Sequence, residues 1–121
     1  MNENSVIHGK SYSFSIRIVR LYQYLIKEHK EYSLAKQILR SGTSIGANIE
    51  EATGSHSKKE FLSKLSISYR ESRETHYWLR ILFDTNYIDR KLFDSLIQDC
   101  EEILRILSKI QITTKTSLEK Q

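Results

Sequence analysis

The sequence predicts an all-α protein, an antiparallel up-down-up-down four-helix bundle. Three observations carry this. Apolar residues recur at spacings of three and four in four successive segments, the period of a helix with one buried face. The polar breaks between these segments are only a few residues long, the length that joins antiparallel neighbours. The 121 residues include no proline, the residue that most often interrupts helices and punctuates loops.

The first helix is expected over about residues 11–29, where Phe14, Ile18, Leu21 and Leu25 share one face and Val19, Tyr22 and Ile26 widen it. The second is expected over about 33–54, with Ser33 as its N-cap and a seam of Leu34, Ile38, Gly42, Ile45, Ile49 and Ala52. The third, over about 57–85, opens on Ser57-Lys58-Lys59-Glu60. That is a capping box, in which the serine bonds the backbone N–H of the glutamate and the glutamate reaches back. Its seam is Phe61, Leu65, Ser68, Ser72, Thr75, Leu79 and Leu82, large at the ends and small in the middle. The fourth, over about 89–112, starts at Asp89 and continues through Phe93, Leu96, Cys100, Ile103, Leu107 and Ile110. Residues 113–121 read as a polar, frayed tail, and residues 1–121 as one domain.

Composition excludes several classes. With 39% hydrophobic and 28% charged residues, the chain is neither disordered in composition nor membrane-like, and no run of 18 apolar residues offers a transmembrane helix. The start, MNENSVIHGK, lacks the basic and then apolar pattern of a signal peptide. Cys100 is alone, so it forms no internal disulfide, and its periodic position predicts a buried core thiol. These features point to the cytoplasm. A net charge of +4 and a pI near 9.2 favour anionic partners such as nucleic acid.

The stretch RSGTSIGANIEEATG, residues 40–54, holds three of the four glycines. A phosphate-binding loop would need G-x-x-x-x-G-K-[ST] after a strand; here the glycines are one residue too close and Ala47 stands where lysine should be. A flexible loop would break the seam, yet Ile38, Ile45 and Ile49 keep helical phase across it. What remains is a helix with a bare face. Two interior glycines cost roughly 1 kcal/mol each relative to alanine, which close packing offsets. If the second and third helices pair about a turn near Ser55-His56, Gly42 and Gly46 face the small residues Ser68 and Ser72. Asn48, next to the seam, is expected to set register. Glu50 and Glu51 are expected either to pair with Arg70 or Arg73 or to be solvated.

Arg40, then small residues, ANIEEATG, SKKEFLSKLSISYRESRETHYWLRIL and NYID together resemble the four-helix bundle proteins found as reading frames within intervening sequences of bacterial 23S rRNA genes. The match runs from the first helix to the fourth and is densest at Arg40, Asn48, Glu51, Gly54, Ser72 and Glu74, among others. The resemblance implies an antiparallel bundle, in many relatives a homopentameric ring. It also implies similarity to the accessory proteins of diversity-generating retroelements, basic pentamers that bind nucleic acid and a reverse transcriptase. Relatives commonly carry proline where this chain has Gly46, which implies a bend or loosened turn there. No site residues transfer with the resemblance, because a biochemical activity is not established for the intervening-sequence members.

Chemistry is sparse. A di-metal carboxylate bundle needs two Glu-x-x-His pairs, and none occurs. One cysteine and four scattered histidines have no zinc-ligand spacing, and no nucleophile–base arrangement is readable. No catalytic residue, metal or cofactor is therefore expected. For nucleic acid, the candidates are Arg17 and Arg20 on the first helix and Lys58, Lys59, Lys64, Arg70 and Arg73 on the third, with Arg90, Lys91, Arg105 and Lys109 on the fourth. Tyr69 and Tyr77 could stack on unpaired bases. The competing reading is a solvated face on which Arg70 with Glu74 and Glu71 with Arg73 pair within the helix. The sequence thus predicts a non-enzymatic, homo-oligomeric module that binds RNA or DNA, with a structural or protein-interaction scaffold without nucleic-acid affinity as the alternative.

Overall fold

The computed structural model describes residues 2–120, so Met1 and Gln121, the ends of the expected single domain, lie outside the described residues. Four helices follow in order: α1 (Glu3–His29), α2 (Ser33–Thr53), α3 (Lys58–Asp84) and α4 (Arg90–Glu119). Each packs on its chain neighbours, and α1 closes against α4, the sparsest of the four seams. This is an antiparallel four-helix bundle.

Local chemistry explains the ends. Asn2 accepts from the Ser5 N–H at 2.9 Å and starts α1. Lys30, at φ 53°, ends it, with the N–H groups of Lys30 and Glu31 donating to Ile26 and Leu25 carbonyls. Ser57 caps α3 through the Glu60 N–H at 3.0 Å, while Glu60 reaches back to the His56 N–H at 3.2 Å. Asp89 caps α4 through the Leu92 N–H at 2.8 Å.

Three expected boundaries are corrected. α1 begins at Glu3, not near Ser11, because Ile7 and Ser11 carry the buried face back from Phe14 and the asparagine supplies a cap. Ser33 is not the cap of α2; the Glu31 carboxylate accepts from the N–H groups of Leu34 and Ala35, placing negative charge at the positive end of the helix. α4 does not fray after residue 112 but runs to Glu119. Its last turns keep Thr114, Ser117 and Leu118 partly buried, and Lys58 of α3 reaches Ser117 at 2.5 Å.

The core is the predicted seams in register: Phe14, Ile18, Leu21 and Leu25 against Ile38, Ile45 and Ile49, and Leu65, Leu79 and Leu82 against Leu96, Ile103, Leu107 and Ile110. Leu34, Phe61 and Phe93 sit at its margin, partly buried, with Phe93 stacked on Phe83 at 4.5 Å.

The glycine stretch is the largest correction. α2 passes through Gly42 and Gly46 as unbroken helix, without the bend that the resemblance implied. Neither glycine faces α3. A methyl on Gly42 would meet Ile18 of α1 at 2.8 Å, and one on Gly46 would meet Ser15 Oγ at 3.1 Å and the Ser11 carbonyl at 3.3 Å, also on α1. The α2 residues that meet Ser68 and Thr75 are one position earlier, and Ser72 bonds within α3 and to Cys100 of α4. Ser68 Oγ donates to the Ile45 carbonyl at 2.9 Å, and Thr75 Oγ1 lies 3.0 Å from Ser41 Oγ. One residue turns a helix by about 100°, enough to move the bare face from α3 to α1. Asn48 is no register device either, since its amide donates to the Ser44 carbonyl of its own helix at 2.9 Å. Glu50 and Glu51 meet neither Arg70 nor Arg73; they pair with His8 at 2.8 Å and Lys64 at 3.2 Å.

Cys100 is fully buried, and its thiol donates to the Ser72 carbonyl at 3.3 Å. Burial, with the Glu101 and Asp99 carboxylates adding to it, pushes the thiol up from 9.0 to about 12. The thiolate is the nucleophile, so the folded protein is expected to resist alkylation by iodoacetamide at about pH 8. The folded value lies above the unfolded one, so the unfolded chain sheds this proton first. Stability is then expected to fall as pH rises from 9.0 towards about 12. Thermal melts across that window, with Cys100→Ala as the flat comparison for this contribution, check the sign.

Candidate nucleic-acid interface

The seven basic candidates do not form one surface. Arg17 bonds Asp99 at 2.6 Å and Ser95 at 2.9 Å across the α1–α4 seam, and Arg20, one turn on, reaches Gln23 at 3.5 Å. Among the described residues α1 and α3 share no seam, so Arg17 and Arg20 lie across the bundle from Arg70 and Arg73. On α3 itself, Lys58 turns to Ser117 and Lys64 to Glu51. Lys59 is exposed in the first turn.

The expected pairing of Arg70 with Glu74 and of Arg73 with Glu71 does not form. Arg40 of α2 takes both carboxylates instead, Glu71 at 3.0 Å and Glu74 in a shorter contact. Glu74 also accepts from Trp78 Nε1 at 3.0 Å. The helix therefore presents two sides of different character. Glu71 and Glu74 turn towards α2 and share the single Arg40 guanidinium there. Arg70, Arg73 and Arg80 stay exposed, and among the described residues no carboxylate lies within 4.0 Å of them.

The structure adds two residues that the sequence reading missed. Arg80 follows Arg73 by seven positions and so shares its face, and its guanidinium lies 5.7 Å from the Tyr77 ring centroid. His76 bonds Glu101 of α4 at 3.1 Å. Arg73, His76 and Arg80 with Glu101 and Leu104 line a groove of about 360 Å³ between α3 and α4. The spacing Arg73-Tyr77-Arg80 was present in the sequence; what was hidden is that, among the described residues, neither arginine forms a salt bridge. Tyr69 is half-buried against the core, whereas Tyr77 is 47% exposed.

Among the described residues no group of three or more His, Cys, Asp or Glu side chains could hold a metal ion, and no helix is long and apolar enough to cross a membrane. Fold and surface together define a class: a small antiparallel bundle with buried small-residue belts and, on α3, exposed arginines outside any salt bridge. Residues 3–109 match the family model described as 23S rRNA-intervening sequence protein, and the chain belongs to that family. A solved structure similar to it is a protein of unknown function from the S23 ribosomal protein family of Bacteroides thetaiotaomicron. It is 46% identical, with a TM-score of 0.89 over 91% of this chain and 98% of that one. No curated protein matches the chain. Neither the family nor this structural relative indicates a catalytic activity.

Proposed function

We propose that the protein is a non-enzymatic, homo-oligomeric bundle that binds nucleic acid through the outward face of α3. The observation that carries this is the sorting of charge on that helix. Its carboxylates are drawn to Arg40, and Arg70, Arg73 and Arg80 are left exposed in a row beside an exposed tyrosine. Unquenched cations in line are what a phosphate backbone requires. Oligomerisation would repeat the row around a symmetry axis, so that a modest charge per chain adds up.

Binding of RNA and DNA measured across a salt series tests the reading. Affinity is expected to fall steeply with salt. Replacing Arg73 and Arg80 together by glutamine is expected to lower the slope of log affinity against log salt by about 2. No binding at low salt would sink the proposal. Light scattering tests the assembly, with a mass near 14.3 kDa counting against it.

One observation favours a second reading, a protein-interaction scaffold. Tyr12, Ile16 and Val19 are exposed by 66, 46 and 37% and follow one another by four and three along α1. A partner, whether a second copy or another protein such as a reverse transcriptase, could cover them. Chromatography with and without RNA separates the two, because a scaffold without nucleic-acid affinity assembles whether or not RNA is present and does not co-elute with it.

A further inference from the structure

Resting on that reading, we infer that the α3–α4 groove is a site for an unpaired strand, with one base stacked on Tyr77 and the adjoining phosphates held by Arg73 and Arg80. Three observations meet there. Arg73, Tyr77 and Arg80 share a face at spacings of four and three, which alternates cation, ring and cation along about 10 Å of helix.

The ring is held in place. Trp78 packs edge-on against Tyr77 at 5.1 Å, and the indole is tied through Glu74 to Arg40 of α2. A braced ring that is 47% exposed, with only the mobile Arg80 guanidinium 5.7 Å over it, loses little freedom when a base lands on it, the property of a stacking platform.

The groove beside it, about 360 Å³, has the size of a small-molecule pocket rather than of a duplex. Leu104 gives it an apolar wall, and Glu101, held by His76, gives it an acceptor. That carboxylate repels a phosphate and accepts from a base amino group. The anion is thereby kept at the arginine rim, with the base edge turned inward. A duplex hides those edges and faces in its stack and could use the arginines alone.

The test is fluorescence anisotropy at low salt with a single-stranded mixed-sequence 20-mer and the duplex of the same sequence. The single strand is expected to bind at least about tenfold more tightly. Tyr77→Ala is expected to weaken single-strand binding about tenfold and leave duplex binding unchanged. Tyr77 is half-exposed, so circular dichroism of that variant should match the parent. Equal affinity for the two forms, or a Tyr77→Ala variant that binds the strand as well as the parent, overturns this inference and leaves nucleic-acid binding by α3 standing. Absence of binding to either form overturns the parent reading as well.

Discussion

Gly42→Leu is expected to lower the melting temperature of the bundle by about 10 °C, a loss of about 3 kcal/mol in a domain of this size. A bare Cβ at this position already lies 2.8 Å from both Cγ atoms of Ile18 and 3.2 Å from its Cβ. Ile18 has no exposed surface and is branched at Cβ, so it cannot swing aside as the end of a flexible chain would. Replacing glycine in a helix gains about 1 kcal/mol of propensity, which offsets only part of the strain. The pair Gly42→Leu with Ile18→Ala separates this cause from others. Ile18→Ala alone should cost about 2–5 kcal/mol, yet in the Gly42→Leu background it should cost far less, because the leucine fills the vacated space. A melting point unmoved by Gly42→Leu would show that α1 and α2 do not approach there.

Ser68→Leu is expected to be comparably damaging, by about 3 kcal/mol. Ser68 is fully buried between α2 and α3, and its hydroxyl donates to the Ile45 carbonyl at 2.9 Å. Leucine would push the two backbones apart and remove that bond. Ser63→Leu is the comparison. It places the same side chain on an exposed position of the same helix and should stay within about 0.5 kcal/mol of the parent. Urea midpoints of the two variants decide it. Equal midpoints would mean that the helices do not need a small residue at position 68.

Much of this was legible in the sequence. The four seams are periodic over whole helices, so each buried face is repeated many times and a single exception does not hide it. The caps at Ser57 and Asp89 are local chemistry within four residues. The missed start of α1 and end of α4 have the opposite character. Ser11 is buried and Thr114 partly so, and a polar residue in a core position erases the hydrophobic signal although the period continues. The candidate site was half legible. Arg70 and Arg73 stood out as basic residues, but their neighbours Glu71 and Glu74 suggested internal cancellation. Only the approach of Arg40 from another helix draws those carboxylates aside and leaves the arginines without a salt-bridge partner.

The sequence by itself determined that there are four helical segments, the apolar face of each and the need for a bare patch near residues 42–46, because these depend on spacing along one chain. The tertiary structure decided which neighbour each small residue meets. Gly42 and Gly46 belong to α1, while Ser41 and the Ile45 carbonyl belong to α3. The reason is geometric. Positions one residue apart differ by about 100° around the axis, so two adjacent seams run side by side on one helix, and only the placement of the other helices around it assigns each seam to a partner.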